Sequence, residues 1–570
     1  MIRENLRASL YAAFFCAVLT SCTATKSPQD TGLAQCPDRS VPIADVQGAG
    51  DRSPLQARQV TVRGIVTLIL DDKGLYVEEP ASDKYDFTSN ALFIQSVNLP
   101  DGIEPGTLIA VSGTVAEISD ERDPLTALTG TAGLVECSTG HPLPLTDVSL
   151  PLDETERESL EGMRIRVDGS LVVTDVYQFN QGKFTLSANG LQYIPTEVMQ
   201  PGAATNDLLG NSRANALRVS FLEDDGAPDW LASGASTGQV TGVLAHDDRG
   251  KRLSLESYTS FSKPGFNPPA KPAPGVLRVV SMNLHNYFNG DGQGQGFPTE
   301  RGAETFEAFQ QQRTRIGAAI EVLDPHVIAV MELENDGFGP HSAAQDFIRL
   351  ANVATQGSWA VTRPVNDNTG TDKISVGIFY RTDQLKTLGP SKTLGGPEFE
   401  RSRQPQAQLF QRLPGGDTIL IVINHLKSKG SCPDSGIDSN QGDGQGCWND
   451  MRRRSAEKMS AWAKEVASSN GTDNILVLGD MNAYRNEDPI GAIRSAGFTE
   501  LTEQTQLPVY SFAYRGQHGT LDYAFASGAL LGQVQQAFIW NVNAAFPGRM
   551  QLPEPWLRFS DHDPVVIELR

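Results

Sequence analysis

Between Lys263 and Gly275 the chain reads Lys-Pro-Gly-Phe-Asn-Pro-Pro-Ala-Lys-Pro-Ala-Pro-Gly, and neither a helix nor a sheet interior accepts proline at that density. The segment is predicted to be a stiff linker and a domain boundary. The two sides of it differ in texture. Upstream, Val60–Leu70, Gly74–Glu78, Ala91–Gln95 and Gly106–Val115 are short β-rich runs punctuated by Gly, Asp and Pro. Downstream, runs of strand length alternate with helical spacing, as at Phe306, Phe309, Ile316, Ile320 and Leu323. At 570 residues the chain is too long for one core, so two to four domains are expected.

The expected layout is a β module over 56–150, a second over 151–262, the linker at 263–275 and a layered α/β domain over 276–570. Five or so strands with glycines inside the long ones suit a small curved barrel, and the first module resembles the oligonucleotide/oligosaccharide-binding (OB) fold. The second is marked by Met163–Gly169, Lys183–Leu186, Ala216–Phe221 and Gly238–Leu244. A nucleic-acid groove on the barrel would set aromatics among basic residues, whereas Tyr76, Tyr85 and Phe87 lie amid acids, which favours a spacer at least as well.

The N-terminus suggests an address. Arg3 and Arg7 precede an apolar stretch, Leu10 to Leu19, too short to span a bilayer but suited to a signal peptide. It ends in Leu19-Thr20-Ser21-Cys22, which resembles a bacterial lipobox. Residues 1–22 would then be a signal, Cys22 a lipid attachment point and 23–55 a tether, with the protein exported and anchored in the cell envelope, at the outer membrane or cell surface. No protein partner is expected. Four cysteines remain, and Cys36 with Cys137 and Cys432 with Cys447 is the preferred pairing because each pair lies within one domain. A zinc site lacks its usual close Cys-x-x-Cys spacing. The formal charge of −21 repels polyanions, so a phosphate-bearing substrate requires a divalent cation or a local cluster of Arg and Lys.

Chemistry concentrates at strand ends. Ile475–Leu478 reads as a strand buried on both faces, and the first polar side chains beyond it are Asp480 and Asn482, which period-2 alternation would aim the same way. Asn283 closes the first strand of the α/β domain, Glu332 follows Val327–Met331, and Asn424 with His425 follows Ile419–Ile423. Asp522 sits within Thr520–Tyr523, and Ser560-Asp561-His562-Asp563 precedes the last strand. So many competent groups at element ends are best explained by one shared site. Oxygen ligands without thiolates suit Mg²⁺, with Mn²⁺ and Ca²⁺ as alternatives. Lys427, Lys429 and Arg452 are candidate contacts for substrate phosphates, with Arg453 and Arg454 beside them, against a plain reading as solvated surface. Asn289–Glu300 formally fits a calcium loop but carries only two carboxylates, and a glycine-rich substrate loop is the better reading.

In order, Met282–Phe288, Val330–Asp336, Ile423–Lys429, Leu478–Asn482, Leu521–Tyr523 and Ser560–His562 resemble the motifs of the endonuclease/exonuclease/phosphatase superfamily. Cys432–Trp448 and Phe297–Ala303 narrow the resemblance to bacterial extracellular endonucleases. It implies a four-layer α/β sandwich and metal-dependent hydrolysis of phosphodiester bonds of DNA, with RNA left open, giving 5′-phosphate ends. Position by position, it implies Glu332 and Asn283 at the metal with Asp561 as a further ligand, and Asp480 and Asn482 positioning the nucleophilic water. His562 would lie beside the scissile phosphate with Asp522 as its carboxylate partner, and His425 would be a phosphate contact or leaving-group acid. A phosphomonoesterase or phospholipid phosphodiesterase of the same superfamily is the rival, and a non-catalytic surface binding protein ranks last.

Overall fold

The computed structural model describes residues 36–37, 39–70, 73–79, 87–95, 102–118, 123–222, 228–502, 509–548 and 550–570. The signal peptide, Cys22, residues 23–35 of the expected tether and Tyr85 lie outside the described residues. Cys36 is bonded to Cys137, and Cys432 to Cys447. No helix among the described residues is long and apolar enough to cross a membrane.

Five strands between Gln59 and Ser138 close into a barrel. Its curvature depends on glycine. A Cβ at Gly64 would sit 2.9 Å from the Cβ of Val77, and one at Gly113 2.7 Å from Cγ of Leu128. The second module is a six-stranded sheet that curls until Ser236–Asp247 pairs with Arg164–Asp175 as well as with Gly250–Tyr258.

The C-terminal domain is built on two sheets. The first places Leu277–Tyr287 between Val327–Glu334, parallel to it, and Val565–Leu569, antiparallel. The second places Ile475–Asp480 between Thr418–His425, parallel, and Asp522–Ser527, antiparallel. One apolar cluster joins their facing sides, with Val279, Ala329 and Ile567 from the first sheet against Ile421, Leu478 and Ala524 from the second. The helices Phe306–Leu323 and Ala343–Thr355 cover the outer face of the first sheet, and Asn449–Ser469 with Asp488–Ser495 covers that of the second. Both sheet faces are therefore dry, which is why the strands read as continuous apolar runs. Thr305 and Ser342 cap the first two helices, each accepting from a backbone N–H three residues on.

The proline-rich segment is not a free spacer. Phe266 packs on Phe546 with ring centroids 4.4 Å apart, and Trp540 Nε1 donates to the Asn267 carbonyl at 3.1 Å. The second module is bonded to the same domain. Its Gln192–Tyr193 runs parallel to Gln517–Gly519, and its Glu197 carboxylate accepts from Arg485 Nε at 3.1 Å and from the Thr520 N–H at 2.9 Å.

Candidate active site

Register assembles the centre of the site. His425 is paired with Asp480 across the parallel ladder, and Asp480 with Asp522 across the antiparallel one, so three chemically competent residues form one row at one edge of the second sheet. The chain just before Val565–Leu569 in the other sheet brings in His562. His562 Nδ1 lies 2.7 Å from an Asp522 carboxylate oxygen, which also accepts from Ser511 Oγ at 2.7 Å. Ser511 Oγ in turn accepts from the N–H groups of Leu521 and Asp522, both at 3.0 Å. Phe512 packs on the imidazole with ring centroids 4.6 Å apart. Ligand atoms of Asp480, Asp522 and His562 all fall within 4.8 Å of one another.

Asp480 and Asn482 do come together, but not by strand alternation. The extended chain ends at Asp480, and Asn482 adopts a left-handed φ of 47°. Its N–H donates to Asp480 Oδ1 at 2.8 Å and its side-chain amide to the Leu426 carbonyl at 3.1 Å. An Asx turn, a pattern common in purely structural turns, here holds the pair.

On the first sheet Asn283 is fully buried, and its amide donates to Glu332 Oε1 at 3.2 Å while the Asn286 N–H donates to Oε2 at 2.9 Å. Glu332 has a left-handed φ of 61°, uncommon for a long side chain, which marks a place where backbone strain is retained. Asp561 lies 3.7 Å from His285 Nδ1. Among the described residues, no cluster of three His, Cys, Asp or Glu side chains at metal-binding spacing includes Glu332 or Asp561.

The electrostatics separate the two histidines. Burial, and then the Arg403 charge, hold His425 well below its ordinary value, so its imidazole is neutral; its Nε2 lies 3.3 Å from Asp480 Oδ2. Burial opposes charging of His562 as well, but Asp522, Asp561 and Asp480 outweigh it and raise His562 well above the usual range. Burial pushes Asp480 and Asp522 upward despite the neighbouring His562. Asp561 is also desolvated, yet His285, His562 and Arg558 hold it below the normal carboxylate range.

Residues 287–562 match the Endonuclease/Exonuclease/phosphatase family. The C-terminal domain is a domain of that family. Three similar solved structures each match over 52% of this chain. An endonuclease/exonuclease/phosphatase from Bacteroides vulgatus is 16% identical, with 98% of it covered and a TM-score of 0.36. D. rerio TDP2 complexed with a single strand DNA product is 14% identical, with 99% covered and a TM-score of 0.34. A mannosyl-6-phosphatase from Bacteroides thetaiotaomicron is 17% identical, with 99% covered and a TM-score of 0.35. No curated protein matches this chain significantly.

Around the centre of the endonuclease/exonuclease/phosphatase domain the expected cations are placed unevenly. Arg452 is fully buried, and its guanidinium donates to the carbonyls of Lys427, Gln445 and Cys447. It anchors the disulfide-bridged loop instead of meeting phosphate. Lys429 donates to Glu487 and to the Gln445 carbonyl; burial depresses its pKa to about 8. Lys427 donates to the carbonyls of Ser428 and Gly430 and lies 5.2 Å from the Trp448 ring centroid. Arg453 and Arg454 pair with Asp450 on their own helix. In the glycine-rich loop, Asp291 accepts from the N–H groups of Gln293 and Gln295, which commits its carboxylate to the loop itself. Arg403 was not anticipated. It is buried, donates to the Leu426 carbonyl at 2.6 Å, and acts electrostatically on His425 and Asp480.

Proposed function

We propose that the protein is a metal-dependent phosphodiesterase acting on nucleic acid, exported and held at the cell envelope by a lipid on Cys22. The observation that carries the reading is the buried His562–Asp522 pair beside Asp480, at the end of a dry sheet. In this reading the two sheets with helices outside form the four-layer sandwich, and the N-terminal barrel is OB-like.

The residues fit a divalent cation on three counts. Four carboxylates, Asp480, Asp522, Asp561 and Glu332, converge here, and the charges of His562, Arg403 and, at Asp561, Arg558 only partly offset them. Burial without enough positive charge raises Asp480 and Asp522. Asp522 Oδ1 and His425 Nδ1 are buried without a hydrogen-bond partner. Glu332, oriented by Asn283 and Asn286, would hold the ion with Asp561. When bound, the ion offsets charge on the phosphodiester and its transition state.

The protein's own groups divide the remaining work. Asp480, shifted upward by burial, takes the proton from the attacking water, which Asn482 orients through its amide oxygen. His562 has Nδ1 committed to Asp522, so Nε2 is the nitrogen left to present a proton to a phosphoryl oxygen or the leaving group. Neutral His425 contacts the phosphate without adding charge.

Purified protein on supercoiled plasmid, with Mg²⁺ or with chelator, tests the reading beside Asp480→Asn and His562→Gln. Cleavage should require the metal and fall at least 10²-fold in either variant, on the scale of positioned acid–base groups. Cleavage that survives both substitutions would remove these residues from the mechanism. Turnover of phosphomonoesters without cleavage of any nucleic acid would replace the substrate class. Release of Cys22→Ala protein from membranes checks the anchor.

A further inference from the structure

We propose that the cleft between the second β module and the catalytic domain binds a single-stranded polynucleotide running out of the catalytic pocket. This deepens the nuclease reading and rests on it. The cleft has a volume of about 550 Å³, within the range of small-ligand sites and large enough for a nucleotide or two of one strand, but not for a duplex.

Three of its walls continue the segments that carry the catalytic groups. Lys429 follows His425, Tyr484 follows Asn482, and Tyr514–Gln517 lies between Ser511 and Asp522. The opposite wall belongs to the β module, from Asp175 and Gln178 to Arg249 and Arg252. The lining residue Tyr484 is near enough to Asp480 to feel its charge, so the cleft adjoins the catalytic centre on that side.

The charge of the cleft is opposite to that of the molecule. In a protein of net charge −21, seven lining residues are Lys or Arg and Asp175 is the one acid among them. Lys183, Arg218 and Arg252 share Asp247 behind the wall, and Lys429 pairs with Glu487. Arg213, Arg249 and Arg515 are exposed, and among the described residues no carboxylate lies within ion-pair distance of them. Long-range repulsion of a polyanion is thus reversed locally by cations that the fold leaves uncommitted. An aromatic surface accompanies them. Tyr514 is 52% exposed with the Arg515 guanidinium 5.2 Å from its ring centroid, and Tyr177, 80% exposed, lies in sequence between the lining residues Asp175 and Gln178. Unpaired cations beside exposed tyrosines are the groups that grip a single strand, the cations on its phosphates and the rings on its unstacked bases.

The test uses the full protein and the triple variant Arg213→Glu, Arg249→Glu, Arg515→Glu, whose exposed positions lie outside the catalytic residues. Binding of fluorescein-labelled dT20 is followed by anisotropy in chelator, across a salt series, and turnover of bis(p-nitrophenyl) phosphate is measured separately with Mg²⁺. The inference expects Kd for dT20 to rise at least tenfold in the variant and the slope of log K against log salt to fall by about 2, at roughly 0.7 per lost phosphate contact. Small-diester turnover should stay within twofold. Equal affinity of wild type and variant for dT20 would overturn the cleft assignment and leave the nuclease reading standing. A blunt-ended duplex bound by wild type as tightly as dT20 would overturn the single-strand assignment. Loss of dT20 binding in the variant while the wild type hydrolyses no diester would support the cleft and sink the nuclease reading.

Discussion

Asp522→Asn isolates one charge at the centre of the site. Both donors to this carboxylate, His562 Nδ1 and Ser511 Oγ, use the same oxygen, and the other is buried without a partner. An asparagine carbonyl can keep both hydrogen bonds, so the substitution removes the charge while retaining the acceptor. Two opposite charges about 4 Å apart at an effective dielectric constant near 20 attract by about 4 kcal/mol. If His562 must carry its proton in the transition state, that loss corresponds to roughly 10³-fold in kcat/KM. The new amide also leaves an N–H in the unpartnered position, costing about 1–3 kcal/mol of stability. Thermal unfolding therefore sets the temperature of the rate assay, which is initial-rate plasmid nicking with Mg²⁺. The double variant Asp522→Asn, His562→Gln should fall little below His562→Gln alone, because Asp522 acts through the imidazole. A loss under tenfold, or losses that multiply in the double variant, would refute the coupling.

Other perturbations address stability. Cys432→Ser with Cys447→Ser opens a loop with a sequence separation of 15, which in the chain-entropy view costs about 3 kcal/mol; a catalytic-domain urea transition shifted by less than 1 kcal/mol would contradict it. Glu161, buried where the barrel meets the second module, is raised to about 8, by burial first. A carboxyl whose folded pKa exceeds its unfolded value binds its proton more tightly in the native state, so this stability is present below about pH 4.5 and is lost as pH rises to about 8. Glu161→Gln should flatten the decline of Tm over that window, and an unchanged slope would exclude Glu161 as its source.

Much of the catalytic domain was legible in the order of its residues. Strands dry on both faces are apolar throughout, so the first polar groups beyond them, such as Asp480 and His425, announce themselves. Arg452, expected at substrate phosphates or on the solvated surface, is buried, and it shares a helical stripe with Ala456, Met459 and Ala463, a spacing that points toward the core. Arg403 carried no such signal. It stands in Glu400-Arg-Ser-Arg-Gln404, indistinguishable from solvated surface until the chain folds around it.

Residue order alone determined which chemical groups were available and that each stood at the end of a buried run, because hydrophobic patterning and chain breaks are local properties. The tertiary structure decided which of them meet. The row His425, Asp480 and Asp522 exists through strand register, and the pairing of Asp522 with His562 joins the two sheets. The cationic cleft likewise exists only because the β module is bonded against the catalytic domain, bringing together arginines far apart in the chain. Which strands pair and how the domains pack are set by contacts between distant segments, and the pattern within one segment does not name its partner.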